Sequence, residues 1–306
     1  MLFISCPSQA KTRRSFEELR DAAMVAIEEG RLTDALGLCE RALAQARERG
    51  AQDLVDLAVC NRSAVLITLG REREVMPELR QILLRSSDSK MCSVAAYDLS
   101  RAHERIKEYK KGLFYARIAR DRALPTGRED LLVGSYNQIG NCLMSDSFFA
   151  AAAEEYQHAM ELLPAERSVA RGLVMANLGY CEMMQERVRE GMSLSFQALR
   201  WFRSLGTRVY EAWPHLDLCY AYLELGRPMR AWRHGRRALL IAEAMGEAEC
   251  VKNALFLLGE TERTAGDLEA AHGYFSRLQT EFYADAPQVV ELMVQLGLRK
   301  VVNLRA

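Results

Sequence analysis

The side chains able to do chemistry are scattered through this sequence, and their spacing assembles no familiar reaction centre. Five histidines stand at 103, 158, 215, 234 and 272, none of them in an HExxH or other metal-ligating arrangement. His103 reads as a packing residue, whereas His215, two residues after Trp213, is a candidate ligand contact. Eight cysteines at 6, 39, 60, 92, 142, 181, 219 and 250 form no CxxC pair and read as reduced thiols used as small apolar side chains. Nothing near Cys60 argues for an activated thiolate. There is no GxxxxGK[ST] phosphate loop and no GxSxG elbow. The densest charge cluster, Arg227, Arg230, Arg233, Arg236 and Arg237 with His234, offers a phosphate contact or, as the simpler reading, a solvated helix face. Lys107, Lys110 and Lys111 read the same way. The expectation is a protein without catalytic residues, cofactor or metal.

The bulk properties narrow the class of partner. A formal net charge of +0 provides no global field to steer the chain onto nucleic acid or an anionic membrane. Met1 to Ser15 places its apolar patch, Leu2-Phe3-Ile4, ahead of Lys11, Arg13 and Arg14, the reverse of a secretory signal. No stretch approaches the roughly 18 apolar residues of a membrane span. The expected location is cytoplasmic. Only 7 Pro and 19 Gly in 306 residues favour helix.

What must position any functional residue is an internal repeat. An aliphatic residue followed by a small one recurs as Ile139-Gly140, Leu178-Gly179, Leu258-Gly259, Leu218-Cys219, Leu99-Ser100 and Ala22-Ala23, with a weaker match at Arg62-Ser63. The small residues lie 37 to 40 residues apart. Twelve residues after most of them comes a second small residue, Ala35, Gly112, Ala152, Gly191, Ala231 or Ala271, with Val75 as the exception. Seven further on stand Ala42, Ala119, Ala159, Ala198 and Ala238, with Ile82 and Leu278 as larger variants. A turn separates the two halves, clearest at Gly30, Gly70, Gly226 and Gly266, where glycine supplies a left-handed helix end without steric cost. Two antiparallel helices cross closely only where small side chains remove bulk at the contact. A lone hairpin cannot bury its apolar face, so such hairpins stack.

This pattern resembles the tetratricopeptide repeat, with its Leu-Gly pair, turn glycine, Ala-aromatic-Ala second helix and final Pro. The fullest unit reads Ile139-Gly140, Phe149, Ala152, Tyr156, Ala159 and Pro164. The likeness runs from about Phe16 to Gln279, and the interval near 40 exceeds the family's usual 34. It implies an all-α, right-handed superhelical solenoid of about seven hairpins over residues 16–284. An N-terminal tail, 1–15, precedes it. Pro77 inside the second unit's second helix implies a late start or a bend, and Pro214 a kink or a true helix start. Residues 285–306 are expected to form a capping helix, from Val289, Val290, Leu292, Met293, Leu296 and Leu298, with Lys300 to Ala306 trailing. A dimer contact or an effector dock is the alternative use of that helix.

The resemblance also implies that first helices line a concave face. Carried over by register, the inward positions are Asn137, Asn141 and Met144, then Leu173, Tyr180, Met183 and Met184, then Trp213, Leu216, Tyr220, Leu223 and Glu224. The last hairpin adds Asn253, Phe256, Glu260 and Arg263. The third hairpin supplies a charged surface instead, Tyr97, Arg101, Glu104 and Arg105. An apolar, methionine-bearing lining suits an amphipathic helix or extended peptide anchored by aromatics, with Asn137 and Asn141 bonding its backbone. In a tightly wound superhelix the same side chains would be internal packing. The expected function is a protein-interaction adaptor that binds a peptide or helix of a partner, a separately encoded effector enzyme being one such partner. The alternative is a sensor of a peptide or metabolite that controls a separate effector. Self-assembly through the terminal helix is a third reading.

Overall fold

A computed structural model describes residues 15–166, 168–286, 288–297 and 302–306. The N-terminal tail up to residue 14, with Cys6, lies outside the described residues, as do Leu298 and Lys300 of the C-terminal segment. Among the described residues there are fifteen α-helices and no strand. None of these helices is long and apolar enough to cross a membrane. The chain divides into two compact units, 1–108 and 109–306.

The first unit holds α1 (Phe16–Glu28), α2 (Leu32–Glu48), α3 (Gln52–Thr68), α4 (Glu72–Arg85) and α5 (Ser89–Arg105). Ser15 opens α1 with a capping box, its hydroxyl accepting from the Glu18 N–H while the Glu18 carboxylate accepts from the Ser15 N–H. Helix α4 starts at Glu72 and runs through Pro77, so the late start expected there does not occur. Pro77 removes one N–H from the ladder without ending the helix.

The second unit holds α6 (Tyr109–Ala123), α7 (Glu129–Ser145), α8 (Phe149–Leu162), α9 (Val169–Met184), α10 (Val188–Ser204), α11 (Ala212–Glu224), α12 (Pro228–Met245), α13 (Ala248–Ala265), α14 (Leu268–Phe282) and the short α15 (Val289–Gln295). Within it α7–α8, α9–α10, α11–α12 and α13–α14 are antiparallel hairpins, and α15 packs on α14. Pro214 falls in the first turn of α11, behind a 3-10 turn over Arg208–Glu211, so it marks a true start.

The small residues work as close-approach points, in two ways. Gly179 of α9 and Gly191 of α10 meet backbone to backbone, and a Cβ on Gly191 would collide with the Gly179 carbonyl. At Gly140 the vacancy is filled by an aromatic ring instead, Tyr156 Cε1 lying 2.6 Å from where a Cβ would stand. The turn inside each hairpin needs one left-handed residue. It is Gly30, Gly70, Gly226 or Gly266 in four cases, and Lys107, Ser147 and Glu186 adopt the same positive φ at equivalent turns. That conformation is unfavourable for residues with a Cβ, which is why the sequence marked only the glycine turns clearly.

Candidate functional site

In the second unit the first helices, α7, α9, α11 and α13, share one face, and residues 302–306 lie on it. Every one of these helices contributes a bond to that segment. The Asn303 amide nitrogen donates to the carbonyls of Met144 (2.9 Å) and Ser145 (3.2 Å) and to Ser147 Oγ (3.0 Å). These carbonyls end α7, and that of Met144 also accepts the Ser147 N–H of the turn at 3.0 Å. Tyr180 of α9 donates its hydroxyl to Asn303 Oδ1 (3.0 Å) and accepts the Leu304 N–H (3.0 Å). Asn253 of α13 donates to the Leu304 carbonyl at 2.6 Å, and Ser145 Oγ donates to the Arg305 carbonyl at 3.0 Å. The Leu304 side chain is 2% exposed, in the same buried cluster as Tyr220, Leu223 and Phe256.

Arg305 is the anchor. Its Nη2 donates to both oxygens of Asp217 on α11, each at 2.8 Å. The guanidinium lies over the Trp213 ring at 4.1 Å from the centroid and over the Tyr180 ring at 4.9 Å. An aromatic slot with a carboxylate at its floor is a cation-recognition arrangement, since the ring faces and the carboxylate favour the same charge. Asp217 is 0% exposed, and burial pushes its pKa up to about 6 although Arg305 opposes the shift. Burial likewise raises the Tyr180 hydroxyl, and the thiols of Cys181 and Cys250 to about 12. All three are uncharged at neutral pH, so Asp217 and Arg305 carry the charge of the slot.

The residues expected to line the groove do not all meet the segment. Met144 (through its carbonyl), Tyr180, Trp213 and Asn253 touch the segment directly. Met183, Leu216, Tyr220, Leu223 and Phe256 are buried in the cluster that takes in Leu304, and Met184 packs against it from a half-buried position. Asn141 and Glu260 are engaged internally. Asn141 Oδ1 accepts from Tyr156 (2.8 Å) and from Asn177 (3.2 Å), and Glu260 pairs with Arg263 at 3.0 Å. Asn137 has a buried Oδ1 with no hydrogen-bond partner. The segment expected to trail beyond Lys300 does not do so over 302–306. Val302, Leu304 and Arg305 meet an apolar cluster and a buried carboxylate that would otherwise face water.

Tyr97, Arg101, Glu104 and Arg105 lie on α5, in the first unit. Arg101 stands 3.6 Å from the buried Asp98 and over the Tyr97 ring, and Arg105 pairs with Glu72. Burial lifts Asp98 to about 7 against the pull of Arg101. Elsewhere the chemistry is quiet. The seven described cysteines are buried and free. His103 is buried against Glu108 at 2.7 Å. His215 meets His234 at 2.9 Å, and burial lowers both, to about 3 and about 4, so the pair is neutral. Arg230 and Arg236 of the basic cluster stack on Tyr222 and Trp232. Among the described residues no group of three or more His, Cys, Asp or Glu is placed to hold a metal ion.

Asp217 and the 303–305 segment were not singled out by sequence reasoning. One signal pointed to Asp217. A polar residue stands two positions before the small residue in successive units, as Asn61, Asp98, Gln138, Asn177 and Asp217.

No family model matches the sequence, and no curated protein matches it. Solved structures do match. The apo form of RapI is 12% identical with a TM-score of 0.69, over 90% of this chain and 98% of that one. A Rap protein complexed with Competence and Sporulation Factor is 12% identical with a TM-score of 0.71, over 89% and 76%. A tetratricopeptide repeat protein from Parabacteroides merdae ATCC 43184 is 14% identical with a TM-score of 0.56, over 94% and 99%. The fold is that of the tetratricopeptide repeat proteins. In the second unit of this tetratricopeptide-type array, the helices that carry Asp217, Tyr180 and Asn253 are the first helices of their hairpins.

Proposed function

We propose that this chain is a non-enzymatic protein-interaction adaptor, and that the face formed by α7, α9, α11 and α13 receives a peptide from a partner protein. One observation carries the reading: that face already holds a segment, turned over 303–306, by its main chain. Tyr180 takes the Leu304 N–H, while Asn253 and Ser145 serve the carbonyls of Leu304 and Arg305. Main-chain bonds of this kind accept many sequences, and the pocket around Asp217 adds selectivity. The fold supports the reading as well. The similar Rap protein is found complexed with Competence and Sporulation Factor, a precedent for this architecture holding a ligand.

A displayed library of random peptides tests the proposal. The chain is expected to enrich peptides that no longer bind when Trp213→Ala and Asn253→Ala are combined, with helicity by circular dichroism unchanged. Equal enrichment by both proteins would place binding elsewhere. No enrichment, with the wild type or with a variant whose 303–305 contacts are removed, would overturn peptide binding altogether.

A further inference from the structure

We propose that residues 303–305 are a built-in occupant of the peptide site, standing in for a partner peptide whose recognition element is an arginine preceded by an apolar residue, and that this peptide binds by displacing them. The inference rests on the peptide-binding reading above and adds the chemistry of the ligand and the state of the free site.

Three features argue for a stand-in and not a permanent strut. First, the bonds are those of recognition. An arginine in an aromatic slot on a buried carboxylate, a leucine in an apolar cluster and an asparagine on carbonyl ends together draw on all four hairpins of the face. Second, the fit is incomplete. Arg305 uses one nitrogen for both Asp217 oxygens, and its Nε is buried without a partner. A guanidinium reaching the same carboxylate as a two-nitrogen fork would satisfy that Nε, so a free peptide can be held better than the tethered segment. Third, the face offers more than the segment takes. Asn137, Asn141 and Ser145 follow one another at four-residue spacing on α7, on one stripe of the helix. Ser145 bonds the segment, Asn141 is taken up internally, and the buried Asn137 Oδ1 is an acceptor left unused.

A lysine would fit the slot less well than arginine, because the stacking on Trp213 and Tyr180 needs a planar cation. The tether makes the segment a competitor of high effective concentration, on the order of millimolar. A free peptide therefore meets a site that is mostly filled, and its apparent affinity falls by the occupied share.

The test uses the full chain and a fluorescent hexapeptide of sequence Val-Val-Asn-Leu-Arg-Ala, that of residues 301–306. Arg305→Ala should empty the site and bind the probe at least tenfold more tightly than wild type. The Arg305→Ala/Asp217→Asn double variant should lose that binding, and a probe with Lys in place of Arg should bind the single variant at least tenfold more weakly. Melting curves of all variants establish that they fold. Asn303→Ala serves as a second releasing variant should Arg305→Ala fail to fold. Equal binding to wild type and the releasing variant overturns the occupant role, as does a releasing variant that binds no probe. A mass that doubles with concentration for wild type and not for Arg305→Ala overturns the assignment within one chain in favour of exchange between two copies. If library peptides bind without dependence on arginine or on the segment, peptide binding stands and this inference falls. If neither library nor hexapeptide binds, both fall.

Discussion

Removing the charge of Asp217 should unseat the 303–305 segment, and the size of the effect follows from what holds it. Burying Leu304 contributes about 2 kcal/mol, and the uncharged hydrogen bonds about 1 kcal/mol net each, about six in effect because the two protons of the Asn303 amide serve three acceptors, for a total of about 8. Fixing the backbone and side chains of three residues costs about 8 kcal/mol as well. Without the ion pair the segment is therefore close to balance, and the Asp217–Arg305 pair with its two ring contacts supplies the margin, about 2–3 kcal/mol. A fixed buried pair would lose about 3–5 kcal/mol on losing one partner. Here the loss is smaller, because the orphaned guanidinium is on a segment that can leave and become hydrated. Asp217→Asn and Arg305→Met should each speed amide exchange at Leu304, whose N–H is held by Tyr180, by roughly 30-fold, the equivalent of about 2 kcal/mol. The double variant should exchange no faster than the faster single, since a segment already released has nothing more to lose. Hydrogen-exchange mass spectrometry of the 302–306 peptide reads this directly. Unchanged exchange in either single variant, or effects that add in the double, would refute the account.

Other expectations concern the scaffold. Folded Asp98 and Asp217 have pKa values raised to about 7 and about 6 by burial. The folded chain therefore binds more protons than the unfolded one between about pH 4 and 7, and their contribution to stability is lost as pH rises through that window. Asp98→Asn should flatten the decline in urea midpoint from pH 5 to pH 8, and an unchanged slope would count against a buried Asp98 carboxyl. Gly191→Ala should destabilise by about 2 kcal/mol, the overpacking cost against the Gly179 carbonyl outweighing the better helix propensity of alanine, as a lower melting temperature. Glu186→Gly should stabilise by up to about 1 kcal/mol by relieving a positive φ on an exposed turn, measured as a rise in the urea midpoint.

Much of the scaffold was legible because its determinants are local and repeated. The small residues at 140, 179, 191 and 259 announce close helix crossings, and the structure places a neighbouring backbone or ring at each. The turns at Lys107, Ser147 and Glu186 were obscure because nothing in those side chains signals a left-handed residue. Their conformation is imposed by the helices on either side. Trp213 and Tyr180 were legible as site candidates through the register of the repeat. What they face was not.

The sequence by itself determined the all-helical hairpin array and its period near 40, since both depend on residue size and spacing within a few turns. Tertiary structure alone decided where residues 303–305 go. Asn303 meets Met144 across 159 residues and Arg305 meets Asp217 across 88, and no local pattern encodes contacts of that range. It also decided that Asp217, a charge that helical spacing would assign to solvent as readily as to the core, sits at the floor of an aromatic slot. The physical reason is burial: a carboxylate enclosed by neighbouring hairpins needs a counter-charge, and a distant arginine of the same chain supplies it.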